Sequence, residues 1–169
     1  RKHSADLIFV TAGENIAWLL NIRGKDSAFA PIPNCYALVE RNKKIKIFCD
    51  LRKVSKSLRN SLKKVEFVKL ELLAPTLLNL NGKKIIVDKT SCSIFFENII
   101  LKNNRILKYQ DPIYKFKSIK SKKEIDNTIY SHIFDGAALT KFLFWLKKNF
   151  IKKKITEIDA EKKLLNFRK

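Results

Sequence analysis

ADLIFVTAGENIAWLLNIRG, residues 5–24, contains two apolar runs of different kinds separated by a glycine. The first, ADLIFVT at 5–11, has the length and β-branched content of a buried strand. Gly13 breaks it. From Glu14 or Asn15 onward, Ile16, Ala17, Trp18, Leu19, Leu20 and Ile22 put apolar side chains on nearly every side of a helix, which predicts a two-turn buried helix. Gly24 is expected to end it in the left-handed conformation. The chain then turns polar at Asn21, Arg23 and Asp26.

The pattern continues downstream. CYALVE (35–40) and KIKIFCD (44–50) flank Arg41, Asn42 and Lys43, and the second run alternates lysine with isoleucine, predicting a hairpin with one solvated face. Asp50 is expected to cap a helix whose apolar stripe is Val54, Leu58, Leu62 and Val65. Opposite that stripe, Arg52, Lys53, Lys56, Arg59, Lys63 and Lys64 are expected to form a solvated face rather than a phosphate grip. VEFVKLEL (65–72) predicts a strand or connector, and Pro75 a short helix from near Ala74 with Leu77, Leu78 and Leu80 inward. KKIIVD (83–88) follows the Asn81-Gly82 turn as a buried strand, residues 91–101 are helix-like, and RILKYQ (105–110) is strand-like. Strands alternating with helices predict an α/β fold, a mixed β-sheet flanked by helices on both faces.

After Asp111-Pro112 the character changes. YKFKSIKSKK (114–123) predicts a basic linker or edge strand. A long helix over 122–150 follows, with HIFDGAALTKFLFWL (132–146) apolar on most faces and so in need of a cover. A second helix starts at Thr156, with Asp159 completing a cap.

The 169 residues are 46% apolar with 12 phenylalanines, the composition of a globular chain. No apolar run reaches the roughly 18 residues of a membrane span, so no membrane partner and a cytoplasmic location are expected. The net charge of +20 invites a nucleic-acid reading, but lysine, isoleucine and asparagine are over-used together along the chain, and specific nucleic-acid binding is not expected. Cys35, Cys49 and Cys92 have neither disulfide-framework nor CxxC spacing and are expected to be buried free thiols. His3 and His132 lack metal-ligand spacing. His132 and Asp135, three apart on a helix, are expected to make a structural contact. The chain lacks methionine and starts at Arg1, which suggests a piece of a longer protein.

Ile16-Ala17-Trp18-Leu19-Leu20-Asn21-Ile22-Arg23-Gly24, followed by Asp26 and Pro31, resembles the middle-domain signature of the three-domain Xaa-Pro aminopeptidases of the creatinase and prolidase superfamily. The resemblance extends through the strand at 82–88, Asp111-Pro112, Lys117, Lys120, Glu124 and Ile125. His132, Asp135, Gly136, Ala137, Ala138, Phe142, Leu143 and Trp145 are similar to the first catalytic-domain helix, and Thr156, Glu157, Ala160, Leu164 and Arg168 to the second. Tyr114, Lys115, Phe116 and Ser121 depart from the pattern.

The resemblance implies a middle domain over 1–116 and the first helices of a truncated pita-bread catalytic domain over 117–169. It implies a parent enzyme that removes the N-terminal residue from peptides with proline at position two. Two divalent metal ions, usually manganese, held by two Asp, one His and two Glu, would supply the hydroxide. None of those ligands is assigned to this chain, so its expected catalytic and metal residues are none and it is expected to be inactive alone. Implied partners are the proline peptide, the remainder of the catalytic domain and a second copy of the parent. Asn21, Arg23 and Asp26 are the candidate substrate-cleft residues, Arg23 offering two hydrogen bonds to a carboxylate; the equal alternative is that Asn21 and Arg23 only cap and brace the end of this helix. The alternatives are a metal-free protein-interaction module of the same fold and a basic nucleic-acid-binding domain.

Overall fold

In a computed structural model, which describes residues 4–152 and 154–169, the first apolar run is strand β1 (Leu7–Val10) and the second is helix α1 (Gly13–Leu20). Backbone contacts divide the chain into two compact units, one ending at Ser118 and the other spanning Ile119–Lys169.

The first unit is built on β1, β2 (Tyr36–Glu40), β3 (Ile45–Cys49), β4 (Val65–Lys69), β5 (Lys84–Asp88) and β6 (Arg105–Tyr109), in the order β4-β3-β2-β1-β5-β6. The β1-β2 and β2-β3 pairs are antiparallel, and β3-β4, β1-β5 and β5-β6 are parallel. Helices connect the parallel strands because such strands need a crossover. Period-two alternation splits the apolar residues between two faces. Leu7, Phe9, Leu38, Phe48, Ile85 and Val87 face α3 (Leu73–Asn79) and α4 (Ile94–Leu101) through Leu77 and Ile100. Val10, Ala37, Ile47 and Cys49 face α1 and α5 (Pro112–Ser118) through Ile16 and Ile113. A mixed sheet covered on both faces is therefore present.

Several local expectations are corrected. Asn21, not Gly24, takes the left-handed conformation at the end of α1, at φ 51° and ψ 42°. Asparagine tolerates that region at modest cost. The helix is also less buried than its composition suggests: Trp18 and Leu19 are each 37% exposed, whereas Asn15, polar and internal, is fully buried. Asp50 caps a 3-10 turn over Leu51–Lys53, not a long helix. The helix that follows, α2 (Lys56–Ser61), starts at its own cap Ser55, and Val65 already belongs to β4. Strand β4 is shorter than 65–72 because Leu70–Leu72 forms a 3-10 turn. Leu78 is exposed, since only Leu73 and Leu77 of α3 face the core. Residues 112–118 form helix α5 rather than a linker or edge strand, Asp111 accepting from the Ile113 N–H at 2.9 Å in its first turn.

In the second unit α6 (Lys122–Asn149) and α7 (Glu157–Arg168) both begin with a capping box, Ser121 with Glu124 and Thr156 with Asp159. Asp135 receives the Arg168 guanidinium through Nε at 2.6 Å and a second nitrogen at 3.3 Å, which ties α6 to α7. The expected His132–Asp135 contact gives way to this pair, because a guanidinium fork satisfies both carboxylate oxygens. Ile129, Tyr130, Ile133, Phe134 and Phe144 of α6 remain exposed.

Candidate functional site

The two ends of α1 are chemically unlike. At its carboxyl end the chain leaves through Asn21 and runs as an irregular segment from 22 to 34. Gly24 is held there by close approach: its N–H donates to the Pro31 carbonyl at 3.1 Å, and a Cβ would lie 2.5 Å from Pro33 Cα and 2.6 Å from Pro33 N. Asp26 then clamps the segment. Its Oδ2 accepts from the Asn34 N–H at 2.9 Å, and its Oδ1 accepts from Lys53 Nζ. The Lys53 ammonium and then the Asn34 N–H hold the Asp26 carboxyl below its ordinary value.

Behind this segment lies a cavity of about 400 Å³. Ile47, Cys49, Val54, Leu58 and Phe67 make its apolar wall, and Arg23, Lys25, Asp26 and Lys53 give it a charged edge. The structure thus brings two of the three sequence candidates, Arg23 and Asp26, to one cavity and leaves Asn21 outside its lining. Arg23 is exposed and one of its guanidinium nitrogens donates to the Ile22 carbonyl at 2.9 Å. Asp26 is committed to the clamp, its side chain only 10% exposed. An apolar cavity with a few charged groups at its edge is the usual form of a small-ligand or side-chain site.

At the amino end of α1, beside the carboxyl ends of β1, β5 and β6, is a buried polar network that the sequence reading missed. Asn15 Nδ2 donates to Asp111 Oδ2 at 2.8 Å, and Lys117 Nζ donates to Asn15 Oδ1 at 2.8 Å. Asp88 Oδ2 accepts from the Asp111 N–H at 2.6 Å, and its Oδ1 accepts from the Thr90 and Ser91 N–H groups at 2.7 and 3.1 Å and from the Thr90 hydroxyl. Burial alone would raise the Asp88 carboxyl, but these donors outweigh it and the net shift is downward. Tyr114 donates to Glu14 Oε1 at 3.0 Å, and burial followed by that carboxylate pushes its phenol up to about 12. No buried side-chain polar atom among the described residues lacks a partner. A network so satisfied holds α1, β5 and α5 together. The signal that could have found it was an asparagine inside an apolar helix.

The donor set for a metal does not assemble among the described residues. Among the described residues no group of three or more His, Cys, Asp and Glu side chains could hold an ion, and His3 lies outside them. The cations are less evenly spread than the composition suggests. Lys43, Lys44, Lys46, Lys63 and Lys64 line one groove beside the amino ends of β3 and β4, where Lys46 pairs with Glu66 at 3.3 Å. Because β4 ends the sheet, lysines here guard an edge against strand addition. Of the six cations around α2, Arg52 pairs with Asp50, Lys53 with Asp26, and Arg59 lies over the Phe67 ring at 5.7 Å, so the face is not merely solvated. Asp50, paired with Arg52, has its carboxyl lowered to about 2.

The Creatinase/Prolidase N-terminal domain family model matches residues 1–124. Over its whole length the chain is 33% identical to Xaa-Pro aminopeptidase 1 of Dictyostelium discoideum, of which it covers 28%. Over 88% of its length it is 34% identical to a probable Xaa-Pro aminopeptidase P of Laccaria bicolor, of which it covers 24%. The chain therefore spans about a quarter of the length of these curated relatives. In fold it is similar to an Xaa-Pro dipeptidase from Bacillus anthracis, with a TM-score of 0.61, 16% identity, and 99% of this chain aligned to 45% of that one. The prolidase from Pyrococcus furiosus aligns with a TM-score of 0.57 and 18% identity, over 99% of this chain and 46% of that one. The six-stranded mixed sheet with helices on both faces lies within the residues matched, and the chain belongs to the creatinase/prolidase N-terminal domain family.

Proposed function

We propose that the chain works as the supporting part of an Xaa-Pro aminopeptidase, in which residues 1–116 wall the substrate cleft and residues 117–169 are the first helices of the catalytic domain. The single observation that carries the reading is the cavity behind residues 22–34, with an apolar wall and Arg23 exposed at its edge. A peptide lying there would present a carboxylate or carbonyl to Arg23, whose planar fork suits either. The exposed apolar residues of α6 favour a covering partner, for which the remaining catalytic domain is the proposed occupant. The two divalent metal ions of that enzyme, manganese in this proposal, belong to residues outside the chain. The proposal also includes a cytoplasmic location, which tagging of the full-length enzyme checks.

The test is Arg23→Ala in the full-length enzyme, assayed on peptides with proline at position two. The expected result is a raised KM with kcat little changed, because the contact binds substrate and transition state alike. Unchanged kinetics on every peptide at unchanged stability would remove the cleft reading. The 169-residue chain alone is expected to leave the same peptides intact in the presence of manganese, and turnover by it would overturn the division of labour.

A further inference from the structure

The β2-β3 ladder pairs Tyr36 with Phe48, Ala37 with Ile47, Leu38 with Lys46 and Val39 with Ile45. Continued one step, that register sets Cys35 opposite Cys49. The Glu40 N–H donates to the Lys44 carbonyl at 2.9 Å, which marks that position as a hydrogen-bonded pair. Hydrogen-bonded and open pairs alternate along an antiparallel ladder, so Leu38–Lys46 and Tyr36–Phe48 are of the bonded kind and Cys35–Cys49 is of the open kind. At open pairs the Cα atoms stand about 4.5 Å apart and the side chains converge, within the roughly 4.4–6.8 Å window that a disulfide spans. Both thiols belong to the same buried cluster and both line the cavity behind residues 22–34. Cys92 packs against the cluster on the opposite face of the sheet.

We propose that Cys35 and Cys49 form an oxidisable cross-strand pair, a modification site in the cavity wall whose disulfide pins the segment carrying Arg23 and Asp26. The oxidant is a peroxide small enough to enter the cavity. One thiol reduces hydrogen peroxide, becoming a sulfenic acid as one water leaves. The second sulfur then attacks the sulfenic sulfur, the S–O bond breaks, and the hydroxyl departs with the second thiol's proton as another water. Two thiols and one peroxide thus give one disulfide and two waters. Burial pushes the Cys35 thiol up to about 12 and raises Cys49 as well, so little thiolate is present at neutral pH; the attack on peroxide goes through that thiolate, and the oxidation is expected to be slow at neutral pH and faster as pH rises. The link joins the two arms of the Asp26 clamp. Asn34, which donates to Asp26, precedes Cys35, and Lys53, which also donates to it, follows Cys49 by four residues.

The experiment treats the folded chain with hydrogen peroxide, quenches, denatures, alkylates free thiols and reads the intact mass and peptide map. The expected result is a fall from three alkylatable thiols to one, a Cys35–Cys49 linked peptide, and recovery of all three thiols with dithiothreitol. In Cys92→Ser the count is expected to fall from two to none; should that variant not fold, the wild-type map decides. Three thiols remaining, a link to Cys92, a link between two chains, or a sulfinic acid in place of the link would each overturn the pairing. Limited trypsin digestion reads the pinning: cleavage after Arg23 and Lys25 is expected to slow severalfold in the oxidised form and to recover on reduction. An equal rate in both forms would overturn it.

Discussion

The two ends of α1, a helix of eight residues, show opposite uses of polar residues. At the amino end Asn15, Asp88 and Asp111 are buried and spend their hydrogen-bonding capacity on one another, on backbone N–H groups and on Lys117. At the carboxyl end Arg23 and Lys25 are exposed at the edge of a cavity, Arg23 bonded to the neighbouring Ile22 carbonyl, and Asp26 is tied down by Asn34 and Lys53. The difference teaches where to look for each role. A buried polar group must be satisfied internally or it costs stability, so it reports architecture. A charge beside an open apolar cavity stays available to a ligand.

Mutations at the two ends should therefore separate in stability before they separate in activity. Asp88→Ala carries the largest expected effect, a loss of about 3 kcal/mol or more, because the buried Asp111 N–H and the turn at Thr90 and Ser91 lose their acceptor. Urea denaturation checks it, and a loss under about 1 kcal/mol would break the contrast. The same residue sets an acid limb. Its folded carboxyl is lowered, so its stabilising contribution is full above the unfolded value of about 4 and fades as pH falls through the folded value. Denaturation midpoints measured downward from about pH 5 should thus decline less steeply in Asp88→Ala than in the parent.

Asn15→Leu follows, at about 2 kcal/mol, since it strips Asp111 of a donor and Lys117 of an acceptor inside the first unit. At the other end of the helix, Gly24→Ala should cost about 1–3 kcal/mol, because the new methyl meets the Pro33 backbone and the segment has to move. Thermal melting ranks the two. Asp26→Ala sits last in stability, and its signature is local: faster trypsin cleavage after Arg23 and Lys25 at nearly unchanged melting temperature. An unchanged cleavage rate would show that the clamp does not hold the segment.

Much of the fold was legible in the residues. Five of the six strands were foreseen close to their places, and β4 as a strand or connector, because short apolar, β-branched runs between turn residues have few other solutions. The capping box at Thr156 was equally plain, since caps are local chemistry. Misreadings arose where a neighbour in space outweighed the local pattern. The run 114–123 reads as a basic linker, yet it is helical through Ser118, where Ile113 fills the cluster on the α1 face and Lys117 reaches Asn15. Gly24 looks like a helix terminator, but its use is the close approach of Pro33, a contact made across nine residues of irregular chain.

The candidate site was legible only as a list. Arg23 and Asp26 stood out by their polarity after an apolar helix, whereas the cavity needs β3, β4 and the turn at Lys53 as its wall. Asp135 likewise looked paired with His132 three residues away, and its partner proved to be Arg168, 33 residues on. By itself the sequence determined the class of fold, most of its strands and helices and the family, because alternation, caps and signature spacing are properties of neighbouring residues. Tertiary structure alone decided which polar residues are buried and satisfied, which line a cavity, and that Cys35 and Cys49 share one buried cluster. Those facts depend on sheet order and register, which bring together side chains that the sequence holds far apart.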